Sequence, residues 1–88
     1  MATHYILVSG RVQGVFYRAT AKRMANTIGI SGWIKNKDDG KVEIMASGDI
    51  QSLKDFEDWC RLGSEGAHVT EIVVTPERDT AFFHFEIK

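Results

Sequence analysis

The nine residues Gly10-Arg11-Val12-Gln13-Gly14-Val15-Phe16-Tyr17-Arg18 decide how this chain is organised. An apolar, β-branched run, Tyr5-Ile6-Leu7-Val8, precedes them and a helical pattern follows, which predicts a strand, a tight loop and the start of a helix. Gly14 can adopt positive φ without steric cost, so the chain can reverse sharply there. The backbone N–H groups of Val15 to Arg18 can then converge at a helix N-terminus, where unpaired donors and the helix dipole favour an anion.

Arg18 lies in the first turn of the predicted helix, at the edge of this anion site. Its guanidinium is permanently charged and planar, and it can bind two phosphate oxygens at once. Two glycines and one arginine are also compatible with an ordinary strand-to-helix turn that carries a surface arginine. Taken alone, these residues leave both interpretations open.

Length, charge and cysteine content narrow the class of protein. We expect 88 residues to form one small domain, residues 1–88, and a formal net charge of −1 gives no general attraction to nucleic acid or anionic membranes. No apolar run approaches the length of a bilayer span, and the first four residues lack the features of a signal peptide. Cys60 is the only cysteine, which excludes an internal disulfide and fits a cytoplasmic protein. The three histidines are too dispersed to predict a metal site.

Periodicity and turn signals predict the element order β-α-β-β-α-β followed by a final strand. The predicted strands cover residues 3–11, 31–37, 41–46, 69–75 and 82–87, with helices from Tyr17 to Ile28 and from Ile50 to Cys60. Asp49 is predicted to cap the second helix, and Phe83, Phe85 and Ile87 are expected to share one face of the last strand. This order indicates an α+β fold of the ferredoxin-like, split βαβ kind, an antiparallel sheet with two helices on one face.

Two motifs carry a resemblance to a known family. Gly-x-Val-Gln-Gly-Val-x-x-Arg at residues 10–18 resembles the signature of the acylphosphatases, and Gly-Trp-Ile-x-Asn-x-x-Asp-Gly-x-Val-Glu at residues 32–43 matches a second stretch of that family. The similarity extends from Tyr5 to Ile87. It implies the ferredoxin-like fold and hydrolysis of the carboxyl–phosphate bond of acyl phosphates by metal-free, in-line attack of water, with no cofactor.

The resemblance also implies a set of site residues. Arg18 and the backbone amides of Gly14, Val15, Phe16, Tyr17 and Arg18 would bind the phosphoryl group, and Asn36 would orient the attacking water. From its position alone, Asn36 is equally suited to a role in the following turn, to which Asp39 is assigned. Neither motif contains an obvious base, so the substrate's own phosphate oxygen would take the proton. The chain has Gly63-Ser64 where the family commonly has Gly-Pro, and we expect this to affect only the rigidity of a loop distant from the site.

The chemistry of acyl phosphates agrees with so small a set of residues. The leaving group is a carboxylate whose acid has a pKa of about 4, so it departs without being protonated. Phosphoryl transfer then requires mostly positioning and electrostatic stabilisation. The expected partners are an acyl phosphate and inorganic phosphate, without nucleic acid or membrane, and a monomer is expected because no extra apolar stripe is evident.

Two alternatives have other functions. A non-catalytic module that binds a phosphorylated ligand could use the same loop. RNA-recognition domains share the topology, but they need stacking aromatic residues on a central strand, and residues 42–46 contain none.

Overall fold

Two helices pack on one five-stranded sheet in the computed structural model, which describes residues 1–88. The strands are β1 (Ala2–Arg11), β2 (Ser31–Asn36), β3 (Val42–Gly48), β4 (His68–Glu77) and β5 (Phe85–Ile87), and the helices are α1 (Tyr17–Ile28) and α2 (Ile50–Leu62). The predicted element order is confirmed. Neither helix has both the length and the apolar character that crossing a membrane demands.

The strands lie in the order β4-β1-β3-β2-β5. The pairs β1–β4, β1–β3 and β2–β3 are antiparallel, whereas β2–β5 is parallel. The ferredoxin-like α+β class is confirmed, and the sheet is mixed because residues 78–84 carry the chain from β4 at one edge to β5 at the other. Thr80 fastens this crossing, since its N–H donates to Thr3 Oγ1 at 3.0 Å and its carbonyl accepts from Ser47 Oγ at 2.9 Å.

The core lies between the helices and one face of the sheet. Strand alternation sends every second side chain towards the helices, so Ile6 and Val8 of β1 and Ile44 of β3 are fully buried. Helix α1 buries Tyr17, Ala21 and Ala25, which lie four residues apart on one face. The main contributions of α2 to the core are Leu53, Phe56, Trp59 and Cys60.

Two predicted local features have different outcomes. Asp49 caps α2 as predicted, since its Oδ1 accepts a hydrogen bond from Ser52 N–H at 2.8 Å. The expectation that Phe83 shares one face of the last strand with Phe85 and Ile87 is wrong, because Phe83 precedes the strand and is 98% exposed, whereas Phe85 is buried. Regular pairing of β5 begins only at Phe85, so strand alternation does not extend back to Phe83.

Candidate functional site

A loop between β1 and α1 forms the first part of the site. Val12 is buried and anchors its start, Gly14 takes φ +76°, and Phe16 takes φ 61° and ψ 23°. Phe16 is therefore in the left-handed region, which costs a residue with a side chain about 1–3 kcal/mol. Its carbonyl accepts from Thr20 N–H at 3.0 Å, so α1 starts immediately after this turn. Strain of this kind is concentrated at functional sites.

The backbone amides of this loop are available to a ligand. None of the N–H groups from Gly14 to Arg18 donates a hydrogen bond to another protein atom. No side chain caps α1, and its first turn contains no acidic residue. Unengaged donors at the positive end of a helix dipole form an arrangement that favours an anion.

Arg18 lies at the edge of these amides. It is half-buried in the first turn of α1, beside the buried Tyr17. None of the four ion pairs of the chain includes it. Its guanidinium therefore remains able to pair with an anion held by the loop.

Asn36 is the last residue of β2. Alternation places it on the helix side of the sheet with Ile34, and it pairs with the buried Val42 of β3. Its Oδ1 atom is the only buried side-chain nitrogen or oxygen of the chain without a hydrogen-bond partner. Such an acceptor costs about 1–3 kcal/mol when nothing donates to it. An unpaired buried acceptor at a strand end is a candidate for a contact with a ligand or a water.

Gln13 joins the two motifs. Its Nε2 donates to the carbonyl of Lys37 at 2.8 Å and to the carbonyl of Lys41 at 2.9 Å. Lys37 follows Asn36 directly, and its N–H donates to Lys41 O at 2.8 Å in the β2–β3 hairpin. The β1–α1 loop with its unengaged backbone amides, the amide loop, is therefore held against the end of β2 that carries Asn36. Sequence reasoning assigned Gln13 no role, although an amide with two donors beside a glycine was a signal for such a contact.

The hairpin turn itself uses Asp39. Its Oδ1 accepts from Lys41 N–H at 3.0 Å, and this hydrogen bond is the main cause of its lowered pKa. The assignment of Asp39 to the turn is confirmed.

The loop between α2 and β4, residues 63–67, is in contact with the amide loop, so the expectation that it is distant is wrong. Ser64 Oγ donates to the carbonyl of Val15 at 2.8 Å, and Ser64 is buried. The hydroxyl of Tyr17 donates to the carbonyl of Cys60 at 2.8 Å. Because α1 and α2 pack against each other, the end of α2 meets the start of α1. The sequence does not contain this proximity, which depends on how the two helices lie on the sheet.

The chain contains neither an activated thiol nor a cluster of metal ligands. Burial raises the pKa of the Cys60 thiol to about 12, so this thiol stays protonated near neutral pH. No three or more His, Cys, Asp or Glu side chains are grouped so that they could hold a metal ion.

Comparisons with known proteins agree on one family. The acylphosphatase family model matches residues 4–87. An acylphosphatase of Methylococcus capsulatus is 47% identical over an alignment of 78 positions, which covers 83% of this chain and 85% of that protein. The crystal structure of acylphosphatase from Bacillus subtilis matches with a TM-score of 0.97 and 39% identity over 100% of this chain and 99% of the other. An acylphosphatase from Coxiella burnetii gives a TM-score of 0.95 and 29% identity over 99% and 92% of the two chains.

Proposed function

The chain belongs to the acylphosphatase family and hydrolyses acyl phosphates, and from this premise we propose that Arg18, Asn36 and the amides of residues 14–18 do the chemistry. One observation carries the assignment. The unengaged amides are tied through Gln13 to the strand end where Asn36 has a buried, unpaired acceptor. A non-catalytic module that binds a phosphorylated ligand would use the same loop, but it would not explain the unpaired acceptor of Asn36.

The phosphoryl group is assigned to the loop. The N–H groups of Gly14 to Arg18 and the guanidinium of Arg18 donate to its oxygens. Because these donors are fixed before substrate arrives, they stabilise the charge that develops in the transition state without reorganising. The planar guanidinium can contact two oxygens at once, which a lysine cannot do.

The attacking water is assigned to Asn36. A water held by the side-chain amide of Asn36 keeps a lone pair for phosphorus, and a small side-chain movement that admits this water to the buried Oδ1 would satisfy that acceptor. Attack opposite the carboxylate leaves that group in line, as phosphoryl transfer requires. The P–O bond to the carboxylate breaks, the water oxygen forms the new P–O bond, and a phosphate oxygen takes the proton from the water.

No general acid is needed for the departure of the leaving group. The released carboxylate has an acid pKa of about 4, so it leaves as an anion at neutral pH. We therefore infer that the reaction proceeds without a metal ion or a cofactor.

The domain organisation, partners, location and oligomeric state of the protein are inferred from its composition and architecture. A single buried core and one continuous sheet support one domain of 88 residues. A net charge of −1 supports the absence of nucleic-acid and membrane partners. A single buried cysteine supports a cytoplasmic location, and the lack of a second apolar helix face supports a monomer.

Turnover of acetyl phosphate in the presence of excess EDTA tests this function. We expect full activity after dialysis against EDTA and no gain on adding Mg²⁺ or Zn²⁺. We also expect kcat to vary little between about pH 5.5 and 7.5 once uncatalysed hydrolysis is subtracted. Arg23, an exposed arginine on α1, provides the control: Arg23→Ala should retain activity, whereas Arg18→Ala should lose about 10²–10³ in kcat. A binding module would show no turnover. A metal enzyme would lose activity in EDTA.

A further inference from the structure

We propose that Ser64 is a positioning residue, which fixes the Val15–Phe16 peptide so that its N–H faces the phosphoryl group. This inference rests on the proposed site. The observation behind it is the hydrogen bond from the buried Ser64 hydroxyl to the Val15 carbonyl, 2.8 Å long. It is the only side-chain hydrogen bond to the peptide groups of residues 14–18.

The geometry of the peptide unit links this contact to the anion. The carbonyl of Val15 and the N–H of Phe16 belong to the same peptide, and in a trans peptide they point in opposite directions. Holding the carbonyl towards Ser64 therefore aims the N–H at the other side of the loop. A peptide rotated by half a turn would present the carbonyl oxygen to the phosphoryl group and repel it.

Backbone strain makes a restraint at this peptide necessary. Phe16 has φ 61°, and it is the only residue other than glycine with positive φ. Its side chain is 79% exposed and cannot hold the turn by packing. The cost of the left-handed conformation must be offset by neighbouring contacts.

The loop that carries Ser64 is itself well placed to supply this restraint. The carbonyl of Ser64 accepts from Ala67 N–H at 2.9 Å, which closes a turn over residues 64–67. A Cβ added to Gly66 would lie 4.0 Å from the side chain of Val15, so the two loops are in contact at this point. The hydroxyl of Ser64 is thus presented to Val15 by a closed turn.

Calorimetric titration with inorganic phosphate tests the proposal. Ser64→Ala should weaken phosphate binding by about three- to tenfold, the effect of one lost hydrogen bond, and should lower kcat/KM for acetyl phosphate by at least the same factor, because the same N–H also stabilises the transition state. Ser64→Cys keeps the shape of the side chain with a somewhat larger atom and only a weak donor, so it should weaken binding in the same direction without a cavity.

Ser47 provides a matched control far from the site. It is buried, and its hydroxyl also donates to a carbonyl, that of Thr80, at 2.9 Å. Ser47→Ala should lower stability and leave phosphate affinity unchanged. Wild-type affinity in folded Ser64→Ala and Ser64→Cys, or an equal loss in Ser47→Ala, would overturn the proposal. Arg18→Ala distinguishes failure of the Ser64 proposal from failure of the proposed site. If Arg18→Ala binds phosphate as the wild type does, the proposed phosphate site is wrong, whatever the Ser64 variants show.

Discussion

Phe16 shows how single residues shape this site. It holds a left-handed conformation that glycine would adopt at no steric cost, two residues after Gly14, which also has positive φ. The exposed ring buries too little apolar surface to compensate for the strain. The motif at residues 10–18 predicts the site residues but not the strain at Phe16, because the Ser64 contact to the neighbouring Val15 carbonyl joins residues far apart in the sequence.

Substitution of Gly14 tests whether the backbone amides of the β1–α1 loop bind the phosphoryl group. An added Cβ would meet no atom within 4 Å, so Gly14→Ala changes only the backbone preference and the space beside the amides. We expect a loss of stability of about 1 kcal/mol and at least tenfold weaker phosphate binding, measured by thermal unfolding and calorimetry.

Gly29 is a closely matched control. It has φ +98°, and its added Cβ would also meet nothing within 4 Å, but it ends α1 on the side remote from the amides. Gly29→Ala should lose similar stability and keep phosphate affinity. Equal phosphate affinity in both variants would place the anion away from Gly14.

At the level of elements, the site depends on the contact between the β1–α1 loop and the β2–β3 hairpin. Strand alternation and turn signals predicted both elements, and the Asp49 cap and the Asp39 turn are found as expected. These features are local, so the sequence contains the information for them. The contacts of Gln13 and Ser64 join residues 24 to 49 positions apart, and no periodicity encodes them. The exposure of Phe83 escaped prediction for a related reason, since it depends on where pairing with β2 begins.

The Gln13 contact predicts a variant that separates binding from turnover. Gln13→Glu keeps the shape of the side chain but replaces the donor by a carboxylate, which repels the carbonyls of Lys37 and Lys41. The loop should then shift relative to Asn36. We expect kcat for acetyl phosphate to fall by about tenfold or more, because catalysis depends on alignment, with a smaller change in phosphate affinity.

Gln51 offers the corresponding surface variant. It lies exposed on α2, and its Nε2 donates to Asp55 at 3.0 Å. Gln51→Glu should have wild-type kcat. If Gln13→Glu also turned over at the wild-type rate, the contact would be structural only.

At the level of the whole molecule, the perturbed ionisable groups predict how stability depends on pH. Hydrogen bonds from Lys41 N–H and Ser52 N–H lower the pKa values of Asp39 and Asp49 in the folded state. Their stabilising contribution is present above the ordinary value of 3.8 and is lost as pH falls through the lower folded values. The free energy of unfolding should therefore decrease below about pH 4.

At alkaline pH the relevant pKa values are raised in the folded state rather than lowered, and burial is the cause. It is the main cause of the rise in the pKa of Tyr5 from 10.0 to about 12 and of Cys60 from 9.0 to about 12. These groups bind more protons folded than unfolded, so stability is retained below pH 9 and lost as pH rises towards 12. Urea unfolding across this range checks both limits. Cys60→Ala should flatten the alkaline decline between pH 9 and 12, and an unchanged slope would contradict the burial argument.

The central claim divides the reaction between Arg18 with the loop amides, which hold the phosphoryl group, and Asn36, which places the water. The most direct measurement is the inhibition constant of inorganic phosphate, determined with kcat for acetyl phosphate in Arg18→Ala, Asn36→Ala and the exposed control Asn26→Ala. We expect Asn36→Ala to lose about 10²–10³ in kcat while phosphate inhibits it as it inhibits the wild type, and Arg18→Ala to lose both. Equal loss of phosphate inhibition in Asn36→Ala, or wild-type inhibition in Arg18→Ala, would contradict this division.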